Sequence, residues 1–344
     1  MAINIIKQSA ELITDTDPLM LVEKAARVCY ASLDKIQPGK TTAFISGLIK
    51  RGHHTPLEHA HVRIFLDEVE DGSLSCYLRG LYNAAAPANY PFAGRKLTRG
   101  TLYRGESERG KFVEGSLRDI AWYIMPHMDV LDFLAVAPME LAPDYAVLQL
   151  ITDRAIATEF FRHRTMSYDD SGYENGYVSY DVEFEPEMSL NQQSTRYVNY
   201  TRKGMCLILP EPARWAYDTD SYEYKRWEGA CSNALIAYTD LIGSGTPPEY
   251  ARNVLPLSTA TTVIMSGSVL NWLYLLNLRL PKGAHPQARL LAAYIWDILS
   301  EHFEGYIKEE LKTHKLDNTF QAIDYQKEAD DVKALAANKG VPHE

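Results

Sequence analysis

The sequence predicts a mixed fold of α-helices and β-strands, without a regular alternation of the two. Three observations carry this. Several segments place apolar residues every three or four positions, the period of a helix that buries one face. Between them lie short runs, "HVRIFLDEV", "VLQLIT" and "MCLILP", with strand-like alternation or unbroken apolar character. The strand–helix–strand rhythm of a nucleotide-binding parallel sheet is missing, as are the glycine-rich signatures GxGxxG and GxxxxGK that accompany it.

In chain order, "TDPLMLVEKAARVCYAS" offers Asp17 as an N-cap and Pro18 at the first helical position, with Leu21, Ala25, Val28 and Cys29 on one face. "TTAFISGLIKRG" repeats the pattern through Phe44, Ile45, Leu48 and Ile49, and Gly52 suits a helix end. In "HVRIFLDEV", Val62, Ile64 and Leu66 line one side of a strand. Residues 70–147 are turn-rich at "NAAAPANYPFAGRKLTRG" and helix-like near Leu117–Val136. "VLQLIT" reads as a strand, after which Asp153 caps a helix bearing Ile156, Ala157, Phe160 and Phe161. A loop is expected from about Ser167 to Leu190, then the strand "MCLILP". A long helix over Ser221–Gly243 carries Trp227, Cys231, Ala234, Tyr238 and Leu241 on one stripe, and another runs from Pro248 to before Pro256. "SVLNWLYLLNLRL" and "PQARLLAAYIWDILSEHFEGYIKEEL" are helices apolar over much of their surface, hence deeply buried or packed against another subunit. Beyond Thr319 the chain is polar and alanine-rich, a tail expected to fray.

With 344 residues, 46% of them hydrophobic and 23% charged, the chain suits a large globular unit. A formal charge of -10 argues against non-specific binding to nucleic acid or an anionic membrane, so any polyanion must be met by a local cluster. No stretch reaches the roughly 20 apolar residues of a membrane span, and "MAINIIKQSAELITDTD" has too short an apolar core for a signal peptide. Cys29, Cys76, Cys206 and Cys231 lie far apart with no CxxC pair, which predicts reduced thiols, a cytoplasmic location and no thiolate metal site. Cys29, Cys76 and Cys231 fall on patterns that look buried, so a core role is expected for each.

Against this acidic background, "FFRHRTMSYDDSGYENGY" sets Arg162, His163 and Arg164 in a row at a helix end. One arginine there complements the helix dipole. Three such side chains point in different directions and call for anions around them, either carboxylates of the same protein or a ligand. Further on, "NQQSTRYVNY" gathers amide, hydroxyl and guanidinium donors in Asn191, Gln192, Ser194 and Arg196, a composition that suits a phosphate monoester.

Together with "GHHTPLEH", "AARVCY" and "PPEYARNVLP" followed by the "SGS" and "LNLR" helix, these stretches resemble the flavin-dependent thymidylate synthases, in that family's order. The resemblance covers roughly residues 1–69, 147–167 and 189–305. It implies an α+β fold, an antiparallel β-sheet packed with helices, as one domain over residues 1–318. Insertions at about 70–147 and 168–188 and a polar tail at 319–344 complete the chain. It also implies a cytoplasmic homotetramer with sites shared between subunits. The implied activity is C5-methylation of dUMP to dTMP, with methylenetetrahydrofolate as carbon donor and NADPH as reductant through FAD. Left open beside it are methylation of another uridine nucleotide such as UMP, and a non-catalytic nucleotide- or flavin-binding relative.

Residue by residue, the resemblance implies that Arg279 stabilises the ionised uracil ring. His53 stands with Glu58 near the flavin and folate, where an imidazole can shuttle protons. Flavin contacts would come from Thr55, Glu58, Arg162, His163, Arg164, Ser268, Val269, Leu270 and Tyr274. The nucleotide would meet Glu159, Arg162, Gln192, Gln193, Ser194, Thr195, Arg196, Arg252 and Arg279. No metal is implied. The chain departs from the family pattern at Gln192, where a glutamate is usual, at Leu270, where an arginine is usual, and at Glu159, where glutamine is common. The acid- and tyrosine-rich insertion after Ser167 reads either as a lid over the nucleotide or as a disordered surface insert.

Overall fold

The chain begins with two short strands, β1 (Asn4–Ile6) and β2 (Ser9–Leu12), before α1 (Pro18–Val28). Asp17 starts this helix as expected, its carboxylate accepting the Leu19 N–H at 2.9 Å. α2 (Thr41–Lys50) ends where Gly52 takes φ +75°, a left-handed turn that glycine adopts without strain. A 3-10 turn over Thr55–His59 leads into β3 (His61–Phe65). Next come α3 (Ser73–Ala84), β4 (Ala86–Pro87), β5 (Tyr103–Ser107), β6 (Gly110–Ser116), α4 (Leu117–Ile124), α5 (Val130–Val136) and β7 (Met139–Leu141). The middle of the chain supplies β8 (Tyr145–Asp153), α6 (Arg154–Phe161), β9 (Met166–Tyr168), β10 (Val182–Phe184), β11 (Ser189–Gln192), α7 (Tyr200–Lys203) and β12 (Cys206–Ile208). The C-terminal part holds α8 (Tyr222–Gly243), α9 (Pro248–Ala251), β13 (Ala260–Ser268), α10 (Val269–Arg279), α11 (Pro286–His302), α12 (Glu304–His314) and α13 (Tyr325–Ala337). This computed structural model describes residues 4–15, 17–69, 72–87, 102–161, 166–168, 182–184, 188–314 and 323–338.

Two sheets organise these elements into an α+β arrangement. In the first, the order is β11-β13-β8-β2 and every pairing is antiparallel. Alternation along its strands serves two faces. Leu148 and Leu150 of β8, with Val263 and Met265 of β13, join the main core beneath α6, α10 and α11. Val147 and Ile264 point the other way, against Leu21, Ala25 and Val28 of α1. The second sheet, β4-β5-β6-β3-β7, is antiparallel except for β4 beside β5, and packs with α2, α3, α4 and α5 around Val62, Ile64, Leu78 and Ile120. Among the described residues, no helix is long and apolar enough to cross a membrane.

Several elements differ from the sequence reading. β3 stops at Phe65, and Leu66 begins a 3-10 turn rather than extending the strand. The loop expected over 167–190 contains β10 and the start of β11, and β9 pairs antiparallel with β10. β13 lies at the centre of its sheet yet has no period-2 pattern, because both of its faces are covered and polar Thr261 and Ser266 are buried among apolar residues. The helix-like run after Leu117 divides into α4 and α5, and the run after Pro286 divides at Phe303 into α11 and α12. The tail expected to fray instead forms α13, whose Tyr325, Ala329 and Val332 are buried in the main core. Its three apolar positions at spacings of four and three suffice to bury one helix face.

Candidate active site

The loop after β11 is tied down at each residue. Gln193 N–H donates to the Thr262 carbonyl at 2.8 Å, and Ser194 N–H to the Cys29 carbonyl at the end of α1 at 2.9 Å. The Gln193 carbonyl accepts from Arg154 Nη2 at 3.0 Å, and Thr195 Oγ1 from Arg252 Nη1 at 3.3 Å. Arg196 stands exposed, with Nε 3.1 Å from Glu249 and its guanidinium over Tyr197, which stacks on Tyr30. The expected nucleotide residues Gln193, Ser194, Thr195, Arg196 and Arg252 are thus brought together. Arg154, Glu249 and Tyr197 join them without having been singled out from the sequence. A set of guanidinium, hydroxyl and backbone donors of this kind is chemically fitted to a phosphate. The exposed Arg196–Glu249 pair opens at little cost when an anion arrives.

α6 connects this cluster to Arg279. Its start is held by Asp153, which accepts the Ile156 N–H at 2.7 Å and the Gln287 amide at 2.8 Å, the latter in turn fixed through Gln8. Burial pushes the Asp153 carboxyl above its ordinary pKa. Five residues on from Arg154, or about 7.5 Å along a helix, lies Glu159. Its backbone carbonyl accepts from Arg279 Nη2 at 2.5 Å, and its carboxylate stands 3.9 Å from Nη1. The Arg279 side chain is 20% exposed, and its buried Nε has no hydrogen-bond partner among the described residues. Arg162, His163 and Arg164 follow α6 and lie outside the described residues, as does most of the insertion after Ser167, 169–181 and 185–187.

A third group gathers under the Thr55–His59 turn, about 13 Å from Gln193 along β11. Glu58 is buried, and its carboxylate accepts from Arg118 Nη1 at 2.5 Å and from Ser189 Oγ at 3.2 Å. Next to it, His59 is fully buried, with Nδ1 2.8 Å from Ser266 Oγ, and burial lowers its pKa to about 3. His54 sits edge-on to Trp122, and its pKa is lowered by burial, then by Arg118 and His53. His53 and Thr55 are exposed at the mouth of this turn. Arg118 and Trp122 have no local signature; only the pairing of β6 with β3 carries α4 to this place.

At the start of α10, the Ser268 hydroxyl caps the helix by accepting the Asn271 N–H at 3.2 Å, while Val269 and Leu270 are buried. Tyr274 is half-buried against the main core. The expectation that Cys29, Cys76 and Cys231 are buried needs correction at Cys76, which is exposed on α3. Burial raises the pKa of Cys29 and of Cys231, which disfavours either as a thiolate nucleophile.

The four-stranded antiparallel sheet, with a loop after β11 met by Arg154 and Arg252, belongs to a protein of mixed α and β structure. Its residues 11–76 and 144–303 match the model of the thymidylate synthase complementing protein family, and the chain belongs to that family. It is similar to a probable flavin-dependent thymidylate synthase of Paramecium bursaria Chlorella virus 1, 26% identical over 48% of this chain and 70% of that one. It is also similar to a flavin-dependent thymidylate synthase of Synechocystis, 25% identical over 45% of this chain and 66% of that one. The segment between the two matched stretches, 77–143, holds all of the second sheet except β3.

Proposed function

We propose that this chain is a flavin-dependent thymidylate synthase. It methylates dUMP at C5 to give dTMP, taking the carbon from methylenetetrahydrofolate and the reducing equivalents from NADPH through FAD. The observation that carries the reading is Arg279, a guanidinium held by the Glu159 carbonyl at 2.5 Å, partly open, with one buried N–H left over. The residues present fit nucleotide and flavin by their donor chemistry. Arg154, Ser194, Thr195, Arg196 and Arg252 suit phosphate oxygens, and the unused N–H groups of Arg279 and Arg118 suit ring carbonyls.

FAD, when bound, supplies the redox chemistry that no side chain here can perform. Arg279 is the catalytic residue: a fixed cation beside the uracil favours ionisation at N3, which raises electron density at C5. The Glu159 carbonyl orients that cation, and the Glu159 carboxylate tempers its charge until the ring arrives. Gln192, Gln193, Ser194, Thr195, Arg196 and Arg252 hold the nucleotide, Arg196 exchanging Glu249 for phosphate. Arg162, His163 and Arg164 are proposed as flavin contacts. Thr55 and Glu58 orient the flat rings at the other end of β11, and exposed His53 is the proton carrier. No cysteine is needed as a nucleophile.

The test is spectroscopic and chemical. Purified protein incubated with FAD should retain the absorbance of oxidised flavin, and dUMP should perturb that spectrum. Label from methylenetetrahydrofolate should appear in dTMP when NADPH is supplied. A protein that stays colourless with FAD, or that labels UMP in preference to dUMP, overturns the reading.

A further inference from the structure

We propose that the stretch 77–143, absent from the family match, supplies part of the site through α4. Arg118 is a positioning residue for Glu58, and Trp122 is a wall for a flat heteroaromatic ring bound beside it. The inference rests on the reading of Glu58 as a residue at the ring-binding end of the site.

The attachment is built into the backbone. β6 pairs with β3 so that Ser116 faces His61, and the Leu117 N–H donates to the Ala60 carbonyl at 2.8 Å. Ser116 then caps α4 by accepting the Asp119 N–H at 3.1 Å. The first turn of α4 is therefore laid directly on the end of the Thr55–His59 turn, and its register delivers Arg118 to Glu58. A carboxylate as buried as Glu58, 5% exposed, is costly to the fold unless it is paired and hydrogen-bonded. Arg118 and Ser189 occupy its two oxygens separately, which fixes the carboxylate plane.

Arg118 has donors to spare. Its side chain is 29% exposed, and its buried Nε has no partner among the described residues, while a guanidinium carries five N–H groups. One turn further along α4, Trp122 is 56% exposed, an unusual position for so large an apolar surface. It is nonetheless held in place, with the Arg118 guanidinium 5.6 Å from the ring centroid and the His54 ring edge-on at 5.8 Å. An indole braced by its neighbours, beside an unspent guanidinium donor, matches a flat heterocycle bearing carbonyl or ring-nitrogen acceptors. The isoalloxazine of FAD and the pterin of methylenetetrahydrofolate share that chemistry.

Equilibrium binding of FAD, methylenetetrahydrofolate and dUMP to the full-length protein tests this in wild type, Arg118→Ala, Arg118→Lys, Trp122→Ala and Glu58→Gln. Loss of a charge-assisted contact should weaken one heterocycle by about tenfold or more in Arg118→Ala. Trp122→Ala should weaken the same ligand and abolish the indole quenching that its binding causes. dUMP affinity should stay near wild type in both, melting temperature should stay near wild type in Trp122→Ala but fall in Arg118→Ala, where buried Glu58 loses its partner, and Arg118→Lys should fall between. Because Arg118 also fixes Glu58, the losses in Arg118→Ala and Glu58→Gln should sum to more than the loss in the double variant. Whichever heterocycle responds is the one that lies against Trp122. The inference is overturned if both heterocycles bind Arg118→Ala and Trp122→Ala as they bind wild type. It is equally overturned if all three ligands weaken together with a lowered melting temperature, the result of a purely structural role. Wild type that binds no flavin instead overturns the thymidylate synthase reading from which the inference starts.

Discussion

At the scale of single residues, Arg279 and His59 show how burial sets a side chain's use. Arg279 is met by the Glu159 carbonyl and carboxylate, yet it stays partly open. Arg279→Ala should therefore lower methyl transfer by roughly 3 kcal/mol or more of transition-state stabilisation while NADPH oxidation by bound flavin partly survives. Single-turnover transfer measured beside NADPH consumption checks it, and unchanged transfer removes Arg279 from the mechanism. His59 is the opposite case, a fully buried imidazole whose pKa is lowered to about 3. On lowering the pH below the ordinary value near 6.5, the unfolded chain takes up a proton that the folded chain refuses. Stability from this site is thus complete above that pH and is lost downward toward pH 3, at up to about 1.4 kcal/mol per pH unit. His59→Asn, which keeps a polar group toward Ser266 but does not titrate, should flatten that dependence. Urea midpoints at neutral and mildly acidic pH, compared between the two proteins, decide it; parallel losses assign the effect elsewhere.

At the scale of elements, α6 acts as the ruler between the nucleotide loop and Arg279, so its anchorage matters for function as well as stability. Asp153 both caps α6 and receives the Gln287 amide. Asp153→Ala should cost about 1–2 kcal/mol for the lost cap, and more because Gln287 is left unpaired. Asp153→Asn retains the cap acceptor and should cost less. Denaturant titration gives the stability, and a raised KM for dUMP in the alanine variant reports the displaced helix. α13 makes a comparable case on the far side of the core. Tyr325 stacks on Trp296 at 4.9 Å, Arg289 pairs with Glu328 at 3.1 Å, and Lys333 with Asp297 at 2.8 Å. Removing residues 323–344 should expose the face of α11 and lower the melting temperature by several degrees, since each large buried apolar side chain contributes about 1.5–3 kcal/mol. A melting curve that does not move would make α13 an appendage after all.

At the scale of the whole molecule, β11 and α6 link the three groups, and several large apolar side chains stand exposed near the first. Tyr30, Tyr197, Tyr250 and Leu257 are all exposed there or close by in the chain. A homotetramer in which this surface meets another subunit is the assembly we propose, with closed symmetry and shared sites. Sedimentation of the flavin-bound protein should give four chains. Mixing inactive Arg279→Ala with inactive Arg196→Ala should restore part of the activity through hybrid sites. An active, flavin-bound monomer, or no recovery after proven subunit exchange, contradicts sharing.

Local chemistry alone was enough for much of this. Asp17 and Pro18 start α1, Asp153 starts α6, and the stripe of α8 is visible as a period in the sequence. Motif order was enough to gather Gln193, Ser194, Thr195, Arg196 and Arg252, because most of them sit within one loop of consecutive residues. β13 escaped because a strand covered on both faces carries no alternation, and α13 because a short apolar stripe in a polar, alanine-rich tail resembles a solvated helix. Only the tertiary structure could join Arg279 to Glu159, 120 residues apart, or bring Arg118 across 60 residues to Glu58. Those meetings depend on strand register and on which sheet edge an inserted segment chooses. Local periodicity determines which face of an element is buried; only long-range pairing determines what it is buried against.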